Sequence, residues 1–254
     1  MDKKNRIALV TGASRGLGKN MALRLADAGN DVVITYNSNK ELANKVVAEI
    51  ENKGQKAVAL QFDAADFKSL DSFLHQLVTT LQEVWGTNRF DFLINNAGIG
   101  ATIPFEKVTE NDFDLFLNIH FKTVYFLCQK LLPLLNDKGR IINISTGTTR
   151  MCVPGYSVYA SMKGAIEVFT KYLAKDTGAR GITVNVVAPG PIETDFNNAA
   201  IRNNPDRKSA MASQIALGRV GQAEDIGGII SFLCSEDAGW INGQRIEASG
   251  GMSL

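Results

Sequence analysis

The sequence predicts an α/β protein built on one doubly wound, seven-stranded parallel sheet with helices on both faces, a three-layer fold. Short apolar runs of strand length alternate with longer segments of helical period, and this alternation continues to the end of the chain. Such a pattern is typical of parallel strands that are buried on both faces. We predict strands at residues 6–10, 31–35, 56–62, 91–94, 140–145, 182–187 and 244–247.

Glycines mark the ends of the predicted helices. These helices span residues 16–28, 40–52, 68–84 and 157–177, and a glycine follows each of them, at positions 29, 54, 86 and 178. Because glycine readily adopts the left-handed conformation that closes many helices, we expect a left-handed cap at each of these positions. No linker-like tract divides the chain, so we expect residues 1–254 to form one domain.

Residues 110–135 carry more apolar side chains than one face of a helix can bury. Phe113, Phe116, Phe121 and Tyr125 cover more than one helical stripe. Either the helix packs its second face against another subunit, or it is a long core helix that breaks near Pro133. For a helix on the outside of a sheet we favour the first explanation, and we therefore expect a homo-oligomer, either a dimer or a tetramer.

Composition and charge exclude several kinds of partner. The 254 residues include 27 Lys and Arg and 26 Asp and Glu, which gives a formal net charge of +1, and 45% of them are hydrophobic. This near-neutral balance argues against nucleic acid as a partner. The stretch before the first predicted strand is too short for a signal peptide, and no apolar run reaches the ~18 residues of a membrane span. We expect a cytoplasmic protein with no membrane partner.

The cysteines argue against both disulfides and metal binding. Cys128, Cys152 and Cys234 make an odd number with no CxxC spacing, and with His75 and His120 they form no familiar zinc pattern. We predict that all three cysteines are reduced, buried residues and that the protein has no metal site.

A glycine-rich turn follows the first predicted strand. Gly12, Gly16 and Gly18 are spaced as GxxxGxG, and a helical pattern begins within the turn. Glycines allow the backbone to turn tightly and to approach a pyrophosphate, which the free N–H groups at the start of the helix would bind. Such a turn can also merely join a strand to a helix, but its position after the first strand favours a dinucleotide.

The end of the second predicted strand bears on which dinucleotide is bound. In NAD-binding folds an acidic residue there accepts hydrogen bonds from the ribose 2′-hydroxyl. Residues 34–40 contain no carboxylate, and Arg15, Asn37 and Ser38 could bind a 2′-phosphate. The sequence therefore favours NADP(H), unless Arg15 is simply solvated and the polar run is an ordinary loop.

Tyr159 and Lys163 lie four residues apart in the last long predicted helix, so both occupy one face of it. An ammonium about 4 Å from a phenol contributes about 4 kcal/mol at an effective dielectric constant near 20, which would lower the phenol pKa from about 10 to about 7 as an upper estimate. Desolvation opposes this shift. A YxxxK pair is often just exposed helix surface, but here it can supply a general acid.

These motifs together resemble the short-chain dehydrogenase/reductase family, and the resemblance covers residues 6–254. Five features of the sequence stand in the order that the family has. They are the turn at 11–18, Asp63 at the position that holds the adenine in the family, the run 95–98, the Tyr159–Lys163 pair and the segment 189–194. The resemblance implies a Rossmann fold, a nicotinamide-dependent carbonyl reductase or alcohol dehydrogenase, and tetramers formed through the helices at 110–135 and 157–177. A 3-oxoacyl-[acyl-carrier-protein] reductase-like enzyme is the nearest type that the resemblance suggests.

Many residues form the expected cofactor site. They are Gly12, Ser14, Arg15, Gly16, Leu17, Gly18, Tyr36, Asn37, Ser38, Asp63, Asn95, Ala97, Gly98, Tyr159, Lys163, Pro189, Gly190, Ile192 and Thr194.

Two positions depart from the family pattern. The family's catalytic serine lies thirteen residues before the tyrosine, where this chain has Thr146, with Ser145 beside it. The family's asparagine, which holds the lysine through a water, falls on His120, with Asn118 nearby on another face. We hypothesise that NADPH delivers a hydride to a carbonyl carbon, that Tyr159 protonates the oxygen, and that Thr146 hydrogen-bonds to that oxygen. His120 either supports Lys163 as a neutral imidazole or merely packs among aromatic residues.

The substrate side of the chain is less informative. Residues 191–213 are polar and irregular, and we expect a mobile lid over a small-molecule carbonyl substrate there. Basic side chains in this lid could meet an acidic carrier protein or could simply be solvated: Arg202, Arg207 and Lys208. Residues between the hydroxyl pair and Tyr159 are expected to line the pocket: Arg150, Met151 and Tyr156.

Two alternative functions remain open at this stage. A protein that binds NADP(H) as a sensor would keep the glycine turn without turnover, and the departure at His120 favours that possibility. A Rossmann-type methyltransferase would also use a glycine turn, but the run 95–98 and the Tyr159–Lys163 pair would have no role in it.

Overall fold

The computed structural model describes residues 6–254, and Met1 to Asn5 lie outside the described part. Seven strands form one parallel sheet in the order β3-β2-β1-β4-β5-β6-β7, as the sequence predicted. The strands are β1 (Ile7–Val10), β2 (Asp31–Tyr36), β3 (Ala57–Gln61), β4 (Phe90–Asn95), β5 (Leu135–Ile144), β6 (Thr183–Pro189) and β7 (Arg245–Ala248).

Helices cover both faces of this sheet. They are α1 (Gly16–Asp27), α2 (Lys40–Glu51), α3 (Leu70–Trp85), α4 (Glu110–Leu117), α5 (Thr123–Leu131), α6 (Ser157–Thr177), α7 (Phe196–Ala199), α8 (Pro205–Ala212) and α9 (Glu224–Leu233). Alternate residues of each strand enter opposite cores, because successive side chains of a strand point to opposite faces. In β1, Ala8 and Val10 pack with α1, α2 and α9, whereas Ile7 and Leu9 pack with α3, α5 and α6. The predicted three-layer Rossmann fold is therefore confirmed.

Three of the four predicted glycine caps are left-handed, and the prediction for the fourth, Gly178, is wrong. Gly29, Gly54 and Gly86 have φ values of 81°, 84° and 64°. Gly178 instead has a right-handed φ of −58°, because α6 tightens into a 3₁₀ turn over Gly178–Arg180. The left-handed residue that ends this turn is Gly181, with a φ of 67°.

The segment 110–135 is helical from Glu110 to Leu131, with a π-helical turn inside it, and the helix ends just before Pro133. α4 and α5 are joined by a π-helical turn at Asn118–Lys122, and the chain then enters β5 at Leu135, five residues before the predicted start of this strand. The segment nevertheless has two apolar faces: Phe116 and Leu127 are buried, whereas Phe113 and Tyr125 remain exposed.

The environment of the cysteines differs from the prediction at one position. All three thiols are free, and Cys128 and Cys234 are buried. Cys152 is exposed, contrary to the prediction, because it lies in the loop between the turn after β5 and α6. Among residues 6–254, no helix combines the length and the apolar character that a membrane crossing requires.

Candidate active site

The candidate site lies where the carboxyl ends of β1, β4, β5 and β6 meet. The sheet continues to β2 and β3 on one side of β1 and to β4 and β5 on the other, so the chain reverses its direction of growth between β1 and β4. In open α/β sheets, ligands bind in the crevice at such a reversal. The glycine turn, the 95–98 run and the 189–194 segment all start at these strand ends.

Hydrogen bonds join the glycine turn to the loop after β4. The Thr11 hydroxyl accepts from the backbone N–H groups of Asn96 and Ala97, each at 3.0 Å. The Asn96 side-chain amide donates to the backbone oxygens of Thr11 at 2.9 Å and Gly12 at 3.1 Å. Thr11 and Asn96 therefore hold the turn in place. Both residues lie within the sequence motifs, but no role was predicted for either of them.

Two of the three turn glycines are required by close packing. A Cβ at Gly18 would lie 2.4 Å from the Gly12 oxygen and 2.5 Å from the Asn96 Nδ2. A Cβ at Gly12 would lie 2.8 Å from the Cα of Ala97, and Gly12 also has a φ of +64°. No side chain fits at either position without moving the backbone.

The third glycine borders open space. A Cβ at Gly16 would meet nothing nearer than Thr194, at 3.8 Å, across the gap between the turn and the 189–194 segment. The first N–H groups of an α-helix have no partners inside the helix, and those of α1 begin at Gly16 beside this gap. A cradle of bare backbone with unpaired N–H groups fits the pyrophosphate of a dinucleotide.

The surroundings of the cradle carry no negative charge at the end of β2. Tyr36 is buried, and Asn37 and Ser38 are exposed just beyond it, as is Arg15 in the turn. Asp63 is half-buried after β3 and accepts a hydrogen bond from the backbone N–H of Ala65 at 2.9 Å. A carboxylate at the end of β2 would repel a 2′-phosphate. Because none is present there, these residues fit a phosphorylated ribose better than an unmodified one.

The 189–194 segment forms the opposite wall. A Cβ at Gly190 would lie 2.7 Å from the Cα of Ser249, so the backbone after β6 packs directly on the strand end of β7. Ile192 bridges to Gly221, and the Thr194 hydroxyl accepts from the backbone N–H of Phe196 at 3.3 Å. The segment is therefore fixed at both of its ends.

The side chain of Asn95 has a different environment from the one expected. Its amide donates to the Asn143 Oδ1 at 2.8 Å and to the Cys128 Sγ at 3.2 Å, inside the sheet between β4 and β5. Only 4% of Asn95 is exposed. This placement supports the strand pair and does not support a side-chain contact to a cofactor.

The structure brings Tyr159, Lys163 and Thr146 together. Tyr159 and Lys163 lie in the first two turns of α6 and are 8% and 5% exposed. The Lys163 Nζ lies 5.8 Å from the centroid of the Tyr159 ring. Thr146 lies directly after β5, and its hydroxyl is close enough to the Tyr159 phenol to lower the pKa of that phenol. The Lys163 ammonium donates to the Ile144 backbone oxygen at 2.7 Å.

The pKa of Tyr159 moves opposite to the sequence-based expectation. Burial raises it, and the nearby Thr146 hydroxyl only partly offsets this. The expectation gave the desolvation of a phenolate too little weight against the charge of Lys163, and it is wrong in direction here. Desolvation also lowers the pKa of Lys163 to about 8. The phenol thus remains protonated at neutral pH, which is the form that a proton donor needs.

The two neighbouring hydroxyls after β5 have different partners. The Ser145 hydroxyl donates to the Glu167 Oε1 at 2.6 Å and is 2% exposed. The Thr146 hydroxyl accepts from the Thr148 N–H at 3.2 Å and lies close enough to Tyr159 to influence the pKa of its phenol. Of the two candidates, Thr146 is the one placed to act beside the phenol.

His120 lies in the π-helical turn and is 1% exposed. Its Nε2 lies 3.0 Å from the Ile99 oxygen, and its ring centroid lies 5.1 Å from that of Tyr159. Burial and the nearby Lys163 lower its pKa well below the usual range, so the ring is neutral. Gly98 makes room for the ring, since a Cβ there would lie 2.9 Å from the His120 Cε1. Asn118, the other candidate, is half-buried at the start of this turn.

Aromatic residues from three segments surround Tyr159. Phe116 in α4, Tyr156 before α6 and Phe196 in α7 have ring centroids 6.3, 6.2 and 6.0 Å from it. Phe196 also lies on Gly100, where a Cβ would be only 2.4 Å from the Phe196 Cε1. Sequence reasoning missed Phe116 and Phe196 because nothing in their local spacing distinguishes them from core residues.

The predicted lid contacts the catalytic helix through Tyr156. Asn197 donates from its amide to the Tyr156 hydroxyl at 3.0 Å, and Arg207 lies 3.4 Å from the same oxygen. The other two basic residues of the lid are ion-paired within it, Arg202 with Asp195 and Lys208 with Glu193. Arg150, which we expected to line the pocket, instead binds Glu247 and the backbone oxygens of residues 252 and 253. Met151 lies against the turn after β5, with its Cε 2.8 Å from a Cβ built at Gly147.

Comparisons with known proteins find close relatives over nearly the whole chain. Residues 12–253 match the family model described as Enoyl-(Acyl carrier protein) reductase. The chain is 36% identical to a hydroxynaphthalene reductase-like protein Arp2 of Metarhizium brunneum, over 97% of this chain and 94% of that protein. It is 37% identical to the 3-oxoacyl-[acyl-carrier-protein] reductase FabG of Staphylococcus aureus, over 99% of this chain and 100% of that protein.

A similar solved structure is the angucycline C-6 ketoreductase LanV with bound NADP. It has a TM-score of 0.94 and 36% sequence identity, and the match covers 98% of this chain and 96% of that one. The cofactor of this neighbour agrees with the prediction of NADP(H). Given the confirmed fold, the glycine turn and the match over nearly its full length, the chain belongs to the short-chain dehydrogenase/reductase family.

Proposed function

We propose that the protein is an NADPH-dependent ketoreductase in which Tyr159 is the general acid. The observation that carries this proposal is the buried group of Thr146, Tyr159 and Lys163 beside the glycine cradle. A protonated phenol, a second hydroxyl and an ammonium meet at the edge of the groove between the turn and the 189–194 segment. The NADP-bound ketoreductase among the structural neighbours supports the same reaction.

The cofactor would be held by backbone at one end and by side chains at the other. The N–H groups after Gly16 would bind the pyrophosphate, and Arg15, Asn37 and Ser38 would bind the 2′-phosphate. Lys163 would bind the ribose hydroxyls next to the nicotinamide, and Thr194 would close the groove over the ring. The bound NADPH supplies the hydride.

The residues of the chain handle the proton. The Tyr159 phenol donates its proton to the ketone oxygen as charge develops there, and the Thr146 hydroxyl donates a hydrogen bond to the same oxygen. The Lys163 ammonium stabilises the phenolate that is left. The neutral His120 ring packs edge-on against Tyr159 and binds the backbone at Ile99, which keeps the phenol in place between α4 and α6.

The aromatic lining favours a flat cyclic or aromatic ketone as the substrate. Tyr156 and Phe196 present partly exposed ring surfaces beside the phenol, and flat π surfaces stack on such rings. The names of the hydroxynaphthalene reductase-like relative and of the angucycline ketoreductase fit this class. Two of the three basic lid residues are already ion-paired, which gives less support to an acidic carrier protein.

A panel of carbonyl compounds tests the proposal. The purified protein is mixed with NADPH and a bicyclic aromatic ketone, an open-chain 3-oxoacyl thioester or an enoyl thioester, and loss of NADPH absorbance is followed. We expect oxidation with the bicyclic ketone to be fastest. If NADPH fluorescence shows binding while no compound causes oxidation, the protein is a sensor rather than a reductase. Comparable efficiency with NADH would overturn the cofactor choice.

We also propose that the exposed apolar face of α4, α5 and α6 joins copies of the chain into a dimer or tetramer. Phe113, Tyr125, Val168 and Tyr172 are 46%, 38%, 55% and 70% exposed on these helices. Light scattering after size-exclusion chromatography gives the mass directly, and Val168→Glu should reduce it to that of the monomer. A cytoplasmic location stays a prediction of the sequence.

A further inference from the structure

A partly buried ion pair lies directly behind the turn that carries Thr146. Glu167 stands on the same face of α6 as Tyr159 and Lys163, one helical turn further on. Its partner is Arg245 of β7, whose Nε donates to the Glu167 Oε1 at 2.8 Å. The two side chains are only 23% and 17% exposed, so solvent screens them weakly.

The ion pair grips the turn on both sides of Thr146. The Glu167 Oε1 also accepts from the Ser145 hydroxyl at 2.6 Å and from the Thr149 hydroxyl at 2.7 Å. A terminal nitrogen of Arg245 donates to the backbone oxygen of Thr146 at 3.2 Å and to the Thr149 hydroxyl at 3.1 Å. The residues next to the Thr146 hydroxyl are thus fixed, while the hydroxyl itself bonds only Thr148 and faces Tyr159.

The guanidinium is in turn oriented from its other side. The second terminal nitrogen of Arg245 donates to the Glu247 Oε2 at 3.0 Å. Arg150 binds both oxygens of the Glu247 carboxylate, at 2.8 and 2.6 Å. All three nitrogens of Arg245 are therefore committed to named acceptors. A planar guanidinium held in this way fixes the directions of its hydrogen bonds, which the single ammonium of a lysine does not.

We propose that Arg245 and Glu167 are positioning residues, which hold the turn after β5 so that the Thr146 hydroxyl stays beside Tyr159. This inference rests on the proposed ketoreductase function. Neither residue touches the reacting atoms, so each acts only through the turn. A shift of about 1 Å in a catalytic group can lower the rate on the order of 10²-fold. Loss of the grip should therefore lower kcat much more than it affects the binding of NADPH.

Arg180 provides a matched control at the other end of the same strand. It binds Asp137 at 2.7 Å and the backbone oxygens of Leu132 and Leu135, so it is also a partly buried arginine that fixes β5. It lies at the amino end of the strand, away from the turn. Arg180→Met and Arg245→Met should thus lower thermal stability by similar amounts and differ in catalysis.

The test compares Arg245→Met, Arg245→Lys and Glu167→Gln with Arg180→Met and with the wild type. We expect Arg245→Met to lower kcat by about 10- to 100-fold, with the NADPH dissociation constant within about twofold of the wild type. Arg245→Lys should recover only part of kcat. Arg180→Met should leave kcat unchanged. Equal kcat values for Arg245→Met and Arg180→Met would overturn the proposal.

A double-mutant cycle separates positioning from general damage. If Arg245 acts through Thr146, then Arg245→Met should lower kcat less than about twofold in a Thr146→Ala background. Full additivity of the two losses would contradict the proposal. An inactive wild type would count against the proposed ketoreductase function. The positioning role of Arg245 would then be decided by a crystal structure of Arg245→Met. An unmoved Thr146 would refute that role, and a displaced turn after β5 would support it.

Discussion

The two halves of the candidate site are held together by different forces. In the cofactor half, Thr11, Gly12 and Asn96 are joined by neutral hydrogen bonds and by backbone packed at van der Waals contact. In the catalytic half, Lys163 is buried as an ammonium, and Glu167 and Arg245 form an ion pair behind the reacting hydroxyl. The first half cannot accept an added atom at Gly12 or Gly18, whereas the second cannot lose a charge or a hydrogen-bond donor.

This difference assigns separate work to the two halves. Close-packed backbone provides a rigid surface for the part of the cofactor that does not react. The hydrogen bonds of this backbone do not depend on pH. Buried charges and hydroxyls can transfer or stabilise a proton, but each needs a partner because an unpaired buried charge is costly. Substitutions in the two halves should therefore separate cofactor binding from turnover.

The largest effect is expected for Tyr159→Phe, which removes the proton donor and leaves the ring in place. We expect turnover to fall by about 10² to 10⁴, the usual contribution of a general acid, with NADPH affinity nearly unchanged. Steady-state rates and NADPH fluorescence measure the two quantities. Tyr172→Phe, the same change on the exposed face of α6, is the control. Turnover retained in Tyr159→Phe would remove the assignment.

The opposite pattern is expected for Gly18→Ala in the cofactor half. Its Cβ would lie 2.4 Å from the Gly12 oxygen, so the turn must open and NADPH affinity should fall at least about tenfold, or 1.4 kcal/mol. Gly164→Ala, in α6, meets nothing within 4 Å and should stabilise the fold by about 0.5–1 kcal/mol. Titration of NADPH fluorescence and thermal unfolding test both. Equal affinity in the two variants would show that the turn is not the binding site.

The catalytic half should show a pH-dependent stability that depends on Lys163. Burial lowers its pKa to about 8 from the ordinary 10.5, so between these values the unfolded chain binds the additional proton. Stability should therefore rise with pH in this window, by up to about 3 kcal/mol relative to Lys163→Met, and the gain is absent below pH 8. Urea unfolding of both proteins across the window measures this.

The comparison with Lys163→Met is needed because two buried thiols act in the other direction. Burial raises the pKa of Cys128 and Cys234 to about 12 from 9.0, so both proteins lose stability above pH 9. Only the difference between the two curves reports Lys163. A pH-independent difference would mean that the ammonium does not lose its proton in this range.

The smallest effect concerns the choice of cofactor. Asn37→Asp places a carboxylate at the end of β2, where it would repel a 2′-phosphate and accept from a 2′-hydroxyl. We expect the ratio of kcat/KM for NADPH to that for NADH to fall about tenfold. Asn52→Asp adds the same charge just past the far end of α2 and should not change the ratio. An unchanged ratio in Asn37→Asp would place the phosphate elsewhere.

The fold and the cofactor half could be predicted from the sequence because their signals are local. Gly12, Gly16 and Gly18 lie within seven residues, and the alternation of strands and helices is visible along the whole chain. The Tyr159–Lys163 pair was visible for the same reason, since four residues make one helical turn. What the spacing could not give was the burial that raises the Tyr159 pKa.

The supports of the catalytic half could not be predicted, because they come from distant parts of the chain. Arg245 and Glu167 are 78 residues apart in sequence, and neither stands in a motif. Phe196 reaches Tyr159 only through the path of α7, where Asn197, Asn198 and Ala199 have left-handed backbone conformations. The π-helical turn that buries His120 likewise adds an irregularity that a helical pattern does not reveal.

The most direct test of the central claim is isotope transfer to a ketone. The protein is incubated with a bicyclic aromatic ketone and NADPH that carries deuterium at its transferable position, and the product is analysed by mass spectrometry and NMR. The account predicts an alcohol with deuterium on the carbinol carbon for the wild type and almost none for Tyr159→Phe. Binding of NADPH by the wild type with no deuterated alcohol from any ketone would contradict it.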